Sequence, residues 1–296
     1  NMDEYYETKK KVDQKKNELK DLSNKFRELK SLIYDYKDKK DDEINKLNTN
    51  HLNFKNEIEA NQKKYEQLID EAADEISSFV EKAKQDPQWL DEFMREYIQT
   101  YVGRYRGIVD GWDVVNEGLA TTGAGYRQDS IWYETLGPEY IEKAFRYAHA
   151  ADPDAVLFYN DFNVERDMEK FNSMMAIVND FLARGVPISG LGFQMHIRID
   201  IPNEVIAETL KKAAATGLQI HLSEVDIIFN THNDTRGGGI ENYKRLTAEM
   251  KQAQRQKYKE LVQMYRDIVP PAQQYGITFW GFNDRDTWIG RSFKLN

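Results

Sequence analysis

The sequence predicts an α/β fold with a mainly parallel sheet, preceded by a long, charged helical segment. Three observations predict it. Short apolar runs alternate with amphipathic stretches from Val109 onward, residues 1–86 contain neither proline nor glycine, and the composition changes sharply at Pro87. Repeated strand–helix alternation is the mark of crossover-connected parallel strands. A stretch without either strong breaker reads as continuous helix.

Residues 1–86 carry 18 Lys+Arg against 21 Asp+Glu, a dense and nearly balanced mixture typical of solvated helix. Val12, Leu19, Phe26 and Ile33 recur every seventh position, with Leu22, Leu29 and Tyr36 at the complementary positions. Lys15 interrupts this second row. The register slips by four after Tyr36 and resumes as Ile44, Leu47, His51, Phe54, Ile58, Asn61, Tyr65 and Leu68. Such a pattern predicts either one stuttered coiled coil or two helices joined by a turn near residues 39–43. It makes residues 1–86 a candidate interaction module, against the plainer reading of a generic charged helix. The second domain is expected to span 87–296.

In that second part, runs at 108–115, 155–159, 190–196, 219–227 and 276–282 have the apolar character of buried strands. Helical stretches are expected at about 138–150, 165–184, 202–216 and 240–268. Five strands of this kind fit an open α/β sheet or most of a (β/α)8 barrel.

The formal charge of −9 argues against nonspecific binding to nucleic acid or an anionic membrane, both of which need clustered cations. A chain without cysteine forms no disulfide and no thiolate metal site. Mean hydropathy is −0.75, and no run approaches the roughly 18 apolar residues of a membrane helix. The polar residues 1–11 hold no signal-peptide core, which fits a cytoplasmic protein, a cleaved mature chain or a recombinant one. No histidine–carboxylate spacing suggests a metal centre, and no cofactor is expected.

Chemistry concentrates where the strands end, which in a barrel is the active face. The first strand ends in Trp112-Asp113-Val114-Val115-Asn116-Glu117, the third in Gln194-Met195-His196 and the fourth in Ser223-Glu224-Val225-Asp226. The fifth ends in Trp280-Gly281-Phe282-Asn283, followed by Asp286-Thr287-Trp288. Two glutamates converging with amides, a histidine and indoles suit cleavage of a sugar chain, in which one carboxyl protonates the departing oxygen and the other attacks the anomeric carbon. Each residue alone has a plainer reading: a solvated loop glutamate, a structural histidine, a core tryptophan. Gly237-Gly238-Gly239 lacks the following Lys-Ser/Thr of a phosphate cradle, and Asn233-Asp234-Thr235 is a chance-frequent sequon.

Five motifs together resemble the family 10 endo-β-1,4-xylanases. They are Trp112–Glu117, Tyr159-Asn160-Asp161-Phe162-Asn163, Gly192–His196, His221–Asp226 and Trp280–Asp284, in family order. The resemblance implies a retaining mechanism with Glu117 as general acid/base and Glu224 as nucleophile. It implies that Asn116 and Gln194 bind the sugar whose bond breaks, and that His196 and Asp226 support Glu224. Trp280 would floor the sugar site, Trp288 would cover it and Tyr159 would lie at its edge, with Asn160 structural. The implied substrate is xylan or a xylo-oligosaccharide, and the implied location is secreted or cell-surface.

The resemblance also implies a partial TIM barrel holding the equivalents of strands four to eight. Three readings follow: a fragment or chimera of a larger xylanase, a chain that associates with a separate partner carrying the missing strands, and a helical scaffold with a noncatalytic barrel portion; helix-mediated self-association is a further partner expectation. The first is favoured.

Overall fold

A computed structural model describes residues 2–35, 44–228 and 247–281, and divides the chain into two compact units, Asn1–Phe93 and Met94–Asn296. The division falls inside helix α3 (Pro87–Arg104), seven residues beyond the expected boundary.

The first unit contains α1 (Met2–Asp35) and α2 (Ile44–Gln85). Lys15 contacts Glu71 and Glu75 at 2.8 and 3.2 Å, and Lys25 contacts Glu57 at 3.1 Å. Residue numbers that rise on one helix therefore fall on the other, so the two run antiparallel. Lys15, the interruption in the heptad, reaches carboxylates on the facing helix, which hold its ammonium above the ordinary lysine range. Two seam positions differ from expectation: Phe26 and Tyr65 are exposed, while Leu68 is buried. A helix pair has a single line of contact, so apolar residues flanking that line stay in water. The turn expected at residues 39–43 lies outside the described residues.

The second unit alternates β1 (Gly111–Asn116), α4 (Ile131–Leu136), α5 (Glu139–Ala151), β2 (Val156–Asp161), α6 (Met168–Arg184), β3 (Gly190–Phe193), β4 (His196–Arg198), α7 (Asn203–Ala214), β5 (Gln219–Ile228), α8 (Ala248–Ile268) and β6 (Gln274–Phe279). The pairings between these strands are all parallel, in the order β1-β2-β3-β5, with β4 and β6 both on β5. Among the described residues, β1 and β6 each have one strand neighbour.

Three local differences from the sequence reading have physical causes. The first strand starts at Gly111 rather than residue 108, because a turn bonding Ile108 N to Tyr105 O leaves Ile108 75% exposed. The run 190–196 is broken by Met195, whose φ of 62° is left-handed and incompatible with a continuous strand. The helix expected from residue 165 starts at Met168, because the Asp167 carboxylate accepts from Glu169 N and Lys170 N and caps it.

Strand alternation separates the two faces of the sheet. Leu157, Tyr159, Leu191, Phe193, Ile220 and Leu222 join the helices in the main core. On the opposite face Phe158, His221 and Tyr275 form a ring cluster, with centroids 4.6 Å apart for Phe158–Tyr275 and 5.2 Å for His221–Tyr275. Two glycines of β3 make this inner face possible. A Cβ on Gly190 would lie 2.3 Å from the Phe158 ring, and one on Gly192 would lie 2.2 Å from Asn160 Oδ1.

Candidate active site

Backbone bonds at the C-terminal strand ends carry the site from strand to strand. Glu117 N donates to Asn160 O at 2.9 Å, Gln194 N to Asp161 O at 3.0 Å, Glu224 N to Gln194 O at 3.0 Å and Trp280 N to Val225 O at 3.1 Å. Each link fixes one polar side chain against the next element. Glu117 itself has a φ of 58°, a left-handed conformation costly for a residue with a side chain and found preferentially at functional sites.

Side chains complete the assembly. Gln194 Nε2 donates to Glu117 Oε1 at 3.0 Å and to Asn116 Oδ1 at 3.1 Å. Asn160 Nδ2 donates to the same Asn116 oxygen at 2.9 Å and to Glu224 Oε1 at 3.1 Å. Glu117 and Glu224 are thus joined through three amides. The second oxygen of Glu224 meets His196 Nε2 at 3.3 Å, and His196 Nδ1 lies 3.0 Å from Asp226 Oδ2. The register pairing His196↔Asp226 between β4 and β5 produces that contact.

These contacts set the charges. Burial alone would lower the His196 pKa, but the Asp226 and Glu224 carboxylates outweigh it and raise the group to about 9. The ring is therefore an imidazolium at neutral pH, wedged between two carboxylates. Asp113, on the inner side of β1, rises to about 6 through desolvation and then the charge of Glu224. His221 is shifted down by burial, against a smaller opposing effect of Glu224.

Of the residues singled out in the sequence, Asn116, Glu117, Gln194, His196, Glu224 and Asp226 come together in this cluster. Trp280 is 48% exposed and meets His196 edge-on at 6.2 Å between ring centroids, so an indole surface borders the cluster. Trp288 lies outside the described residues. Tyr159 does not belong. It is buried on the helix-facing side of β2, where its hydroxyl donates to Asp161 Oδ2 at 2.9 Å. The reason is strand parity, since Phe158 and Asn160 face inward and Tyr159 must face outward.

The same parity exposes what was missed. Asn160, read as structural, touches both Asn116 and Glu224, and its own oxygen accepts from Ser223 Oγ at 2.7 Å. Alternation counted from the inward Phe158 would have found it. Arg127 was also missed; its Nη1 lies 3.4 Å from Glu117 Oε2, brought there by the turn that bonds Arg127 N to Gly118 O. No sequence period marks such a loop residue.

The sequence profile of Glycosyl hydrolase family 10 matches residues 72–295, reaching further back than the motifs do. Endo-1,4-beta-xylanase B of Thermotoga neapolitana is 40% identical over 212 residues, covering 70% of this chain and 56% of that protein. Endo-1,4-beta-xylanase A of Cellvibrio japonicus is 37% identical over 227 residues, covering 69% of this chain and 37% of the relative. The chain therefore spans about half or less of these curated relatives. Among solved structures, a thermostable mutant of a Cellvibrio japonicus xylanase superposes with a TM-score of 0.63 at 38% identity, over 71% of this chain and 65% of that one. Xylanase 10B from Thermotoga petrophila RKU-1, in complex with xylobiose, gives 0.59 at 36% identity, over 69% and 58%.

Proposed function

The chain belongs to Glycosyl hydrolase family 10, and we propose that it is a retaining endo-β-1,4-xylanase acting on xylan or xylo-oligosaccharides. The observation that carries this reading is the hydrogen-bonded amide chain joining Glu117 to Glu224 at the C-terminal strand ends. Two carboxyls held in one polar cleft can divide the work of a double displacement.

In the first step Glu224 attacks the anomeric carbon. The bond to the leaving oxygen breaks, its electron pair stays with that oxygen, and the Glu117 proton caps it. The product is a glycosyl ester on Glu224. In the second step Glu117, now a carboxylate, takes a proton from water as the water oxygen attacks the same carbon. The ester bond breaks and Glu224 recovers its charge. The balance is one glycosidic bond and one water consumed, with retained configuration. A retaining pair is expected at about 5–5.5 Å between carboxyls.

His196 and Asp226 serve Glu224 by fixing its carboxylate and supplying a positive neighbour. Asn116 has its oxygen occupied by two donors, which turns its NH2 toward a sugar hydroxyl. Trp280 offers a ring face to a sugar. Xylan lies outside cells, so a secreted or cell-surface location belongs to the same proposal.

The same reading extends to the architecture: β1, β2, β3 with its short continuation β4, β5 and β6 supply the arc of the family barrel equivalent to its strands four to eight. Helices α1 and α2 form a charged, coiled-coil-like pair suited to association with a second copy or with a chain carrying further strands. Light scattering of the chain with and without residues 1–86 tests that part. The activity itself is tested by reducing-sugar release from xylan, with Glu224→Gln as control. Release by the parent chain and none by the variant supports the reading, and equal release by both, or none by either, rejects it.

A further inference from the structure

We propose that Asp161 is a positioning residue for Glu117, gripping from the helix side of β2 the backbone that carries the acid/base. The inference rests on the reading of Glu117 as the group that moves the proton. Glu117 has a φ of 58°, and a residue with a side chain keeps such a backbone only where its surroundings over-determine it. Two bonds to β2 enclose it. Glu117 N donates to Asn160 O at 2.9 Å, and Leu119 N, two residues on, donates to Asp161 Oδ2 at 3.3 Å. The first bond uses only backbone atoms. The second needs an accepting side chain, which Asp161 supplies.

The surroundings of Asp161 hold its carboxylate in place. The Tyr159 hydroxyl donates to the same Oδ2 at 2.9 Å, while Oδ1 accepts from Phe162 N at 2.9 Å and meets Lys170 Nζ at 2.7 Å. Desolvation pushes the Asp161 pKa up, and Lys170, Tyr159 and Phe162 oppose it. All of these partners are donors, and a carboxylate can accept from every one of them at once. Gly118 lets the loop close on this cluster. A Cβ there would lie 3.0 Å from the Tyr159 hydroxyl and 3.1 Å from that of Tyr140, so a side chain one residue after Glu117 would lift the turn off β2.

Asp161 also reaches the acid/base by a second route, since its backbone O receives Gln194 N and Gln194 Nε2 donates to Glu117 Oε1. Loss of the carboxylate leaves that route intact and removes the hold on the loop alone. Glu117 can then relax toward an ordinary backbone, which carries its carboxyl away from the leaving oxygen. Glu224 stays where Asn160 and His196 hold it. The defect should therefore fall on proton transfer and spare nucleophilic attack.

The test replaces the buried pair together, Asp161→Ala with Lys170→Met, so that neither charge is left uncompensated. Lys170→Met alone, which keeps the acceptor for Leu119 N, is the control. Each is assayed on a phenyl β-xylobioside, whose leaving oxygen needs a proton, and on the dinitrophenyl glycoside, whose leaving oxygen does not. In the double variant kcat/KM should fall roughly 30-fold or more on the phenyl substrate and less than about threefold on the dinitrophenyl one. Lys170→Met should keep the parent's ratio between the two. Amide exchange followed by NMR reads the backbone directly. The Glu117 amide, whose own acceptor is untouched, should exchange roughly tenfold or more faster in the double variant, measured against the Gln219 amide bonded to Ser189 O. If the double variant fails to fold, Tyr159→Phe removes one hydroxyl from the same carboxylate oxygen and should show both effects in smaller measure. Equal losses on the two substrates, no loss on either, the same selectivity in Lys170→Met, or an unchanged Glu117 amide overturns the proposal. A parent chain inactive on both glycosides rejects the xylanase reading, and Glu117 exchange then decides the grip of Asp161 by itself.

Discussion

The second half of β5 and the loop leaving β1 each present one carboxyl to the same cleft, yet they hold it in opposite ways. At β5, Glu224 has one oxygen bound by Asn160 and the other by His196, with a side chain only 16% exposed. At β1, Glu117 is held by Gln194 on one oxygen, while the other faces Arg127 of the following loop, and its own side chain is 31% exposed. A nucleophile needs a fixed direction and a constant charge. An acid/base group gives its proton to the leaving oxygen and takes one back from the attacking water, which an open loop admits.

Substitution of the two carboxyls breaks this comparison most directly. Glu224→Gln should reduce hydrolysis of every glycoside by roughly 10⁴-fold or more, because no ester can form. Glu117→Gln should cost about 10²–10⁴-fold on xylan but far less on aryl glycosides whose leaving group needs no proton. Parallel kcat/KM measurements on both substrate types check this, and identical patterns in the two variants would erase the distinction.

The next largest effect concerns the scaffold under β2. Lys170 Nζ lies 2.7 Å from Asp161 Oδ1 with both side chains fully buried, and it also sits 3.6 Å over the Phe162 ring. Asp161 O receives Gln194 N, so this pair anchors the site from the helix side. Lys170→Met leaves a buried carboxylate uncompensated and should cost about 3–5 kcal/mol in denaturant unfolding.

Glu165 should give a smaller and opposite effect. It is wholly buried, and desolvation raises it to about 7, against weaker lowering by backbone and cationic neighbours. A carboxyl raised above its unfolded value of 4.5 adds stability below that pH, and this is lost as pH rises through 7. Glu165→Gln should therefore stabilise the protein above pH 7 by up to about 3 kcal/mol and flatten the decline between 4.5 and 7. Urea titrations at pH 4.5 and 8 measure it.

The mildest test perturbs nothing. The His196 imidazole should titrate near 9 by NMR, and its contribution to stability, present below 6.5, should fade as pH rises through 9. A midpoint below 6.5 would mean that the ring is not held between two carboxylates.

Much of this was legible in the residues. Helical character in residues 2–35 and 44–85 followed from the absence of breakers, and the five main strands followed from apolar runs. Glu117, Gln194, His196 and Glu224 stood out because polar residues at successive strand ends have few structural reasons to be there. Tyr159 was misread and Asn160 undervalued because a motif names residues without saying which face each takes. Parity settles that only when one residue of the strand is already assigned inward. Met195 and Glu117 have left-handed backbones that no local pattern announces, and Arg127 reaches Glu117 through a loop whose path depends on Gly118.

The central claim is that Glu224 attacks the sugar while Glu117 moves the proton. The most direct measurement is incubation with a 2-deoxy-2-fluoro-β-xylobioside bearing an acidic leaving group, followed by intact mass and peptide mapping. The fluorine slows both steps, and the good leaving group lets the first outrun the second. The expected result is one added fluoroxylobiosyl unit, attached to Glu224. A label on Glu117, or hydrolysis of the reagent with inverted configuration and no adduct, would contradict it.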